Sequence, residues 1–175
     1  MCPLQARLMG GDDVTDSVSL LISILVRYPE VAAINFDPWK QILRFNFICK
    51  KVIGWKDFHR FKKYAIDSIM SFNYLERKEA KIIEINCQAY EDLTIIEVKR
   101  DVSTLVQDEI ALIVQVIHQF WEGCLISDLN DTFIEEDLLV QEELIEYMLQ
   151  SVKGSGEDKY LYAFREEGKV LVFNK

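Results

Sequence analysis

Three stretches of this chain, residues 31–49, 81–99 and 159–173, alternate apolar and polar positions in the two-residue rhythm of a strand. Each holds an apolar run, a short polar turn and a second apolar run, which is the pattern of a β-hairpin. In the first, Leu43, Phe45, Phe47 and Cys49 alternate with Arg44, Asn46 and Ile48, following a turn at Asp37-Pro38-Trp39-Lys40. One face is apolar and the other mixed, as in a sheet packed on one side. In the second, Ile83, Ile85 and Cys87 share a face, and the chain turns near Tyr90–Asp92 before returning through Ile96 and Val98. The third differs. Tyr160, Tyr162 and Phe164 line one face and Leu161 and Ala163 the other, while the returning strand sets Val170 and Val172 against Leu171 and Phe173. A hairpin apolar on both faces must be covered twice, as central strands of a sheet or at an interface with another chain.

Between the hairpins the spacing is helical. Val14, Val18, Leu21, Leu25 and Tyr28 mark a first helix stopped by Pro29, and residues 1–11 read as a loose leader ending in Gly10-Gly11. Phe58, Phe61, Ala65, Ile69 and Phe72 mark a second helix over residues 55–75. A third, residues 104–121, opens with the capping-box pattern Thr104-x-x-Gln107 and is apolar nearly all round from Ile110 to Ile117, so it is buried on more than one side. After a short apolar piece at Cys124–Ile126, Thr132-x-x-Glu135 opens a fourth helix over residues 133–153, with Gly154 placed to end it and Gly154-Ser155-Gly156 as a linker. The order α-ββ-α-ββ-α-α-ββ predicts one α+β domain over residues 1–175. Its antiparallel sheet has about six strands from three hairpins, with helices mainly on one face. The first two hairpin-helix units hint at an internal duplication.

Composition narrows the class. Half of the 175 residues are hydrophobic, enough for a core without disulfides or metal. The four cysteines are scattered with no C-x-x-C, which points to a reducing compartment and a cytoplasmic location. The longest apolar run, Val18–Val26, is well short of the about 20 residues that span a bilayer. Acids, not bases, precede it, so it is not a signal peptide, and the sequon at Asn130-Asp131-Thr132 then carries no meaning. A net charge of −9 repels nucleic-acid backbones and anionic membranes unless a local basic patch overrides it.

Charge is segregated along the chain. Lys50, Lys51, Lys56, Arg60, Lys62 and Lys63 face a single acid, Asp57, with Trp55, Phe58, Phe61 and Tyr64 interleaved. From Asp128 to Glu146 there are eight acids and no Lys or Arg. Asp128-x-Asn130 begins like an EF-hand, but Phe133 stands where the loop needs Gly and Leu139 where it needs Glu, so no Ca²⁺ site is expected. The two segments could meet within one subunit or across two, since complementary patches orient association.

Catalytic equipment is sparse. The chain has no G-x-S-x-G, Walker A or G-x-G-x-x-G loop, and no Glu-x-x-His or His-x-x-x-His pair. His118 lies close to Cys124 in sequence, but its apolar helix predicts a buried, hydrogen-bonded imidazole and not a nucleophile's base. No catalytic, cofactor-binding or metal-ligating residue is predicted.

The reading that follows is a non-catalytic protein-interaction or regulatory module, with a second copy or another protein as partner and no membrane. Its candidate surface comprises Tyr160, Tyr162, Phe164, Leu171 and Phe173 together with Glu142, Glu143 and Glu146. The alternative is a small-ligand-binding domain or an unrecognised enzyme with a pocket between sheet and helices. Third is weak nucleic-acid binding through residues 50–63, with Lys56, Arg60 and Lys63 as the basic patch.

Overall fold

A computed structural model describes residues 5–9, 15–127, 135–154 and 159–174. In chain order the elements are β1 (Gln5–Met9), α1 (Asp16–Arg27), β2 (Ala33–Asp37), β3 (Ile42–Cys49), α2 (Trp55–Leu75), β4 (Ile83–Tyr90), β5 (Leu93–Asp101), α3 (Gln107–Trp121), α4 (Glu135–Val152), β6 (Leu161–Glu166) and β7 (Lys169–Asn174). The strands form one sheet in the order β1-β7-β6-β2-β3-β5-β4. The six hairpin strands are antiparallel throughout, which is the expected α+β architecture. β1 corrects the reading of a loose leader: residues 5–9 pair in parallel with β7, Arg7 opposite Leu171. None of its five residues is β-branched or aromatic, so the segment carries no strand signal of its own, and the edge of β7 supplies the pairing.

The helices cover one face. Phe36, Leu43, Phe45, Phe47, Ile96, Val98, Ala163 and Val172 point into the layer beneath them and are fully or almost fully buried. Across from these stand Leu21 and Ile24 of α1, Phe61 and Ile69 of α2, Ile110 and Ile117 of α3, and Ile145 and Leu149 of α4. α1 packs on α4, α2 on α3, and α3 against α4. That satisfies the all-round apolar α3 within one subunit. Between sheet and helices, the void ringed by Phe61, Ile69, Ile85, Val98 and Ile117 holds only about 10 Å³.

Local chemistry explains the boundaries. α1 starts one residue after Thr15, whose Oγ1 accepts the Val18 N–H at 3.2 Å. Gly154, at φ +68° just past α4, is the left-handed terminator its spacing predicts. The last hairpin turns through Glu167 and Gly168 alone, at φ +50° and +75°. Two left-handed residues give the twist that favours tight hairpins, so the strands run on to Glu166 opposite Lys169.

The capping box at Thr104 does not form. Val106 is the N-cap of α3, and Thr104 Oγ1 donates instead to Asp101 Oδ2 at 2.6 Å, a charged acceptor that a neutral cap cannot outbid. The piece at Cys124–Ile126 makes a single bridge, Leu125 to Cys49, and no full strand. The two hairpin-helix units pair through their second strands, Asn46 opposite Glu97, and matching links at residues 50–54 and 102–106 lead into α2 and α3. Val14, the Thr132-x-x-Glu135 cap, the Asp128–Phe133 segment and most of the Gly154–Gly156 linker lie outside the described residues.

Candidate interaction face

With all four helices on one side, the alternate side chains of the strands project from the other, and among the described residues no helix is laid over them. This face has two chemistries. At the β6–β7 end, Tyr162 stands opposite Phe173 and Phe164 opposite Leu171. Tyr162 and Phe164 have ring centroids 5.6 Å apart, and Phe164 stacks on Phe173 at 5.5 Å with 9° between planes. Tyr162 is 38 % exposed, and Phe164, Leu171 and Phe173 beside it are half-buried.

Toward the centre the face turns polar. The Tyr160 hydroxyl accepts from Asn35 Nδ2 at 2.9 Å and from Arg44 Nη1 at 3.1 Å. Asn35 and Arg44 are cross-strand partners, and beyond them Asn46, Glu97 and Asn86 follow one another across β3, β5 and β4. Glu84 and Lys99 pair at 3.0 Å near the β4 edge. Asn35 Oδ1 is shielded from solvent and has no hydrogen-bond partner among the described residues.

The face is concave. A trough of about 920 Å³ runs over Asn35, Asn46, Ile48, Ile95 and Glu97 and ends against Tyr162 and Phe164. Ile126 and Ser127 form part of its wall, held by Ile126 N–H to Ile48 O at 2.8 Å and Lys50 N–H to Cys124 O at 2.7 Å. Another part comes from Pro29, Ala32 and the Glu167–Gly168 turn. Arg165 fixes that side: its guanidinium donates to the carbonyls of Leu25, Tyr28, Pro29 and Val31, satisfying the C-terminal end of α1.

The structure thus gathers Tyr160, Tyr162, Phe164, Leu171 and Phe173 on one face and leaves Glu142, Glu143 and Glu146 elsewhere, on α4 in the helical layer. Two of these acids also have internal work: Glu142 pairs with Arg27 at 2.7 Å, and Glu146 accepts the Gln107 N–H at 2.8 Å. The outward row of α4 instead includes Val140, Leu144 and Tyr147, all exposed. Lys56, Arg60 and Lys63 lie along an exposed line of α2, as their spacing predicts.

His118 is not buried. Its side chain is 39 % exposed, and Nε2 lies 2.7 Å from Glu30 Oε2. Apolar neighbours in sequence misled here, because His118 falls on the one outward line of α3 that meets the loop after α1. Burial pushes the Cys49 thiol up to about 12, reinforced by the adjacent Cys124 thiol, so it stays protonated. Cys124 Sγ approaches the Trp121 carbonyl at 3.5 Å. No group of three or more His, Cys, Asp and Glu side chains is placed to hold a metal ion among the described residues.

One polar cluster had no counterpart in the sequence reading. Arg100, fully buried, donates from Nε to Glu109 Oε2 at 2.5 Å and from Nη2 to Glu109 Oε1 at 2.8 Å. Its Nη1 reaches Asp101 and the Ile82 carbonyl, and Asn73 Nδ2 donates to Glu109 Oε1 at 2.7 Å. Burial alone raises the Asp101 pKa, but hydrogen bonds from Thr104, the Ile82 N–H and Ser103, with Arg100 beside it, outweigh that and hold it at about 2. The signal was present: Arg100 continues the buried alternation of Ile96 and Val98, and a cation in that phase requires a buried anion. The cluster lies under the helices with its carboxylates saturated, so it ties α2, β5 and α3 together and offers no free acid or base.

No protein-family model, no curated protein and no solved structure matches this chain. Among the described residues no helix is long and apolar enough to cross a membrane.

Proposed function

We propose that this protein is a non-catalytic, cytoplasmic interaction or regulatory module that self-associates through the bare face of its sheet. The carrying observation is the ledge of Tyr162, Phe164, Leu171 and Phe173, over which no helix lies among the described residues, with Phe164 in contact with both other rings. Two such faces stack as the sheets of a sandwich do, about 10 Å apart. A second copy is the favoured occupant because Arg44 and Lys99 are interspersed with Glu84 and Glu97, so a two-fold related copy can set opposite charges against each other.

The test is light scattering from micromolar to millimolar concentration on the wild type and on the double variant Phe164→Ser, Phe173→Ser. A wild type that associates and a variant that does not is the expected result; a wild type monomeric over the whole range overturns the reading.

The trough favours a second reading, a small-ligand site. Its volume of about 920 Å³ lies in the ligand-pocket range of about 300–1,000 Å³, and its amides and Glu97 converge over an apolar floor. Native mass spectrometry of the purified protein separates the two, since a ligand site carries a small molecule and an interaction face gives integer multiples of the chain mass.

A further inference from the structure

On the helical side a second groove, of about 430 Å³, is bordered by Glu76, Asp108, Glu142, Glu143 and Glu146, with Val106, Gln107 and Leu139. It holds five carboxylates and no cationic side chain among its lining residues. Gln107 is 5 % exposed, and its Oε1 has no partner among the described residues, so an acceptor lies idle there. Leu139, Val140, Leu144 and Tyr147 leave exposed apolar surface beside it along α4.

The same molecule carries the complement. Lys56, Arg60 and Lys63 form an exposed line at the start of α2, and none of them is in an ion pair among the described residues. The line cannot reach its own chain's groove. Glu76, the α2 residue that borders the groove, caps the far end of that helix, and the 13 residues from Lys63 to Glu76 span about 20 Å of helix. Met70 and Tyr74, further along α2, are exposed apolar residues able to meet the apolar row of α4.

We infer that the basic line of α2 in one copy docks into the acidic groove between α3 and α4 of another. The inference rests on the reading that the chain self-associates, and adds a second, different contact. Opposed sheets make a closed pair, whereas α2 in a groove joins unlike surfaces and repeats head to tail unless it closes a ring. With both contacts the assembly grows beyond a dimer. Because it rests on exposed charges, the helical contact weakens more steeply with salt than the sheet contact, whose ledge of Tyr162, Phe164, Leu171 and Phe173 is apolar.

Charge reversal tests it without touching the internal bonds of Glu142 and Glu146. One triple variant is Lys56→Glu, Arg60→Glu, Lys63→Glu; the other is Glu76→Lys, Asp108→Lys, Glu143→Lys. Urea unfolding midpoints close to wild type establish that each is folded, and sedimentation reads assembly size from about 20 mM to about 500 mM salt. The expected result is that wild type exceeds a dimer at low salt, each triple variant stops at the dimer, and an equimolar mixture of the two regains the larger species.

A wild type and triple variants that are all dimers overturn the helical contact and leave the sheet contact standing. Triple variants reduced in size beside a Phe164→Ser, Phe173→Ser variant that is not overturn the sheet contact alone. Monomers throughout overturn both. Loss of retention on a polyanion column by the basic-line variant, with assembly size unchanged, also overturns the inference and assigns Lys56, Arg60 and Lys63 to nucleic acid.

Discussion

The two faces of the sheet carry polar groups of the same kinds to opposite ends. Under the helices, Arg100, Glu109 and Asp101 have their hydrogen-bonding capacity filled by one another and by Asn73, Ser103, Thr104 and backbone groups. On the bare face, Arg44 and Asn35 share a single tyrosine hydroxyl, and Asn35 Oδ1 is unmatched. A buried charge network whose carboxylates are all engaged describes how the chain holds its shape, even though Asn73 Oδ1 at its margin has no partner among the described residues. On the bare face the polar side chains are tied by only a few bonds, Tyr160 to Asn35 and Arg44, and Glu84 to Lys99.

That contrast predicts unequal responses to mutation. The largest effect belongs to Glu109→Ala, which strands Arg100 in the core and lowers unfolding free energy by about 3–5 kcal/mol, read from urea denaturation. Arg165→Met comes next. It leaves the Leu25 carbonyl in the last turn of α1 and the Val31 carbonyl in the loop after it without their donor and costs about 2 kcal/mol, with hydrogen exchange rising at the end of α1 before the rest of the molecule.

Asp101 gives a pH signature. Its folded pKa of about 2 is below the unassisted value of 3.8, so the folded state binds the proton less tightly than the unfolded chain. Its stabilising contribution is complete above pH 3.8 and is lost as pH falls toward 2, on the order of 2 kcal/mol in all. Asp101→Asn should lower stability at neutral pH and flatten its fall over that acid window. If the wild-type and variant curves stay parallel there, the cluster is not the structural lock described.

The smallest effect on stability is expected on the bare face. Phe164→Ser should cost about 1 kcal/mol or less, since its ring is already partly in water, yet it should abolish self-association. A cost equal to that of Glu109→Ala would mean the ledge is core, and the contrast between faces would fail.

Much of this fold was legible in the residues, because hairpins and amphipathic helices repeat a pattern over many positions. Leu43, Phe45 and Phe47 declare their face by alternation alone, and α2 matches its predicted span from Trp55 to Leu75. The double apolarity of the last hairpin predicts a cover on both sides, and among the described residues helices cover only one. What escaped were features made by single long-range contacts. β1 depends on an edge more than 150 residues away, Thr104 on a carboxylate that outcompetes a helix end, and His118 on the loop that brings Glu30 beside it. The acidic groove is a further case, since Glu76 and Asp108 join the acids of α4 only when α2, α3 and α4 are packed.

The strand order has a consequence in time as well as in space. β2, β3, β4 and β5 with α2 and α3 occupy one continuous stretch, residues 33–121, and can close on one another while the chain is still being made. The partner of β2 on its other side is β6, more than 120 residues later, and β1 waits for β7. Until the last hairpin emerges, the nascent sheet presents β2 as a raw edge carrying Ala33–Asp37, and β1 has nothing to join. Synthesis is therefore the interval in which this chain is most open to pairing with the wrong strand.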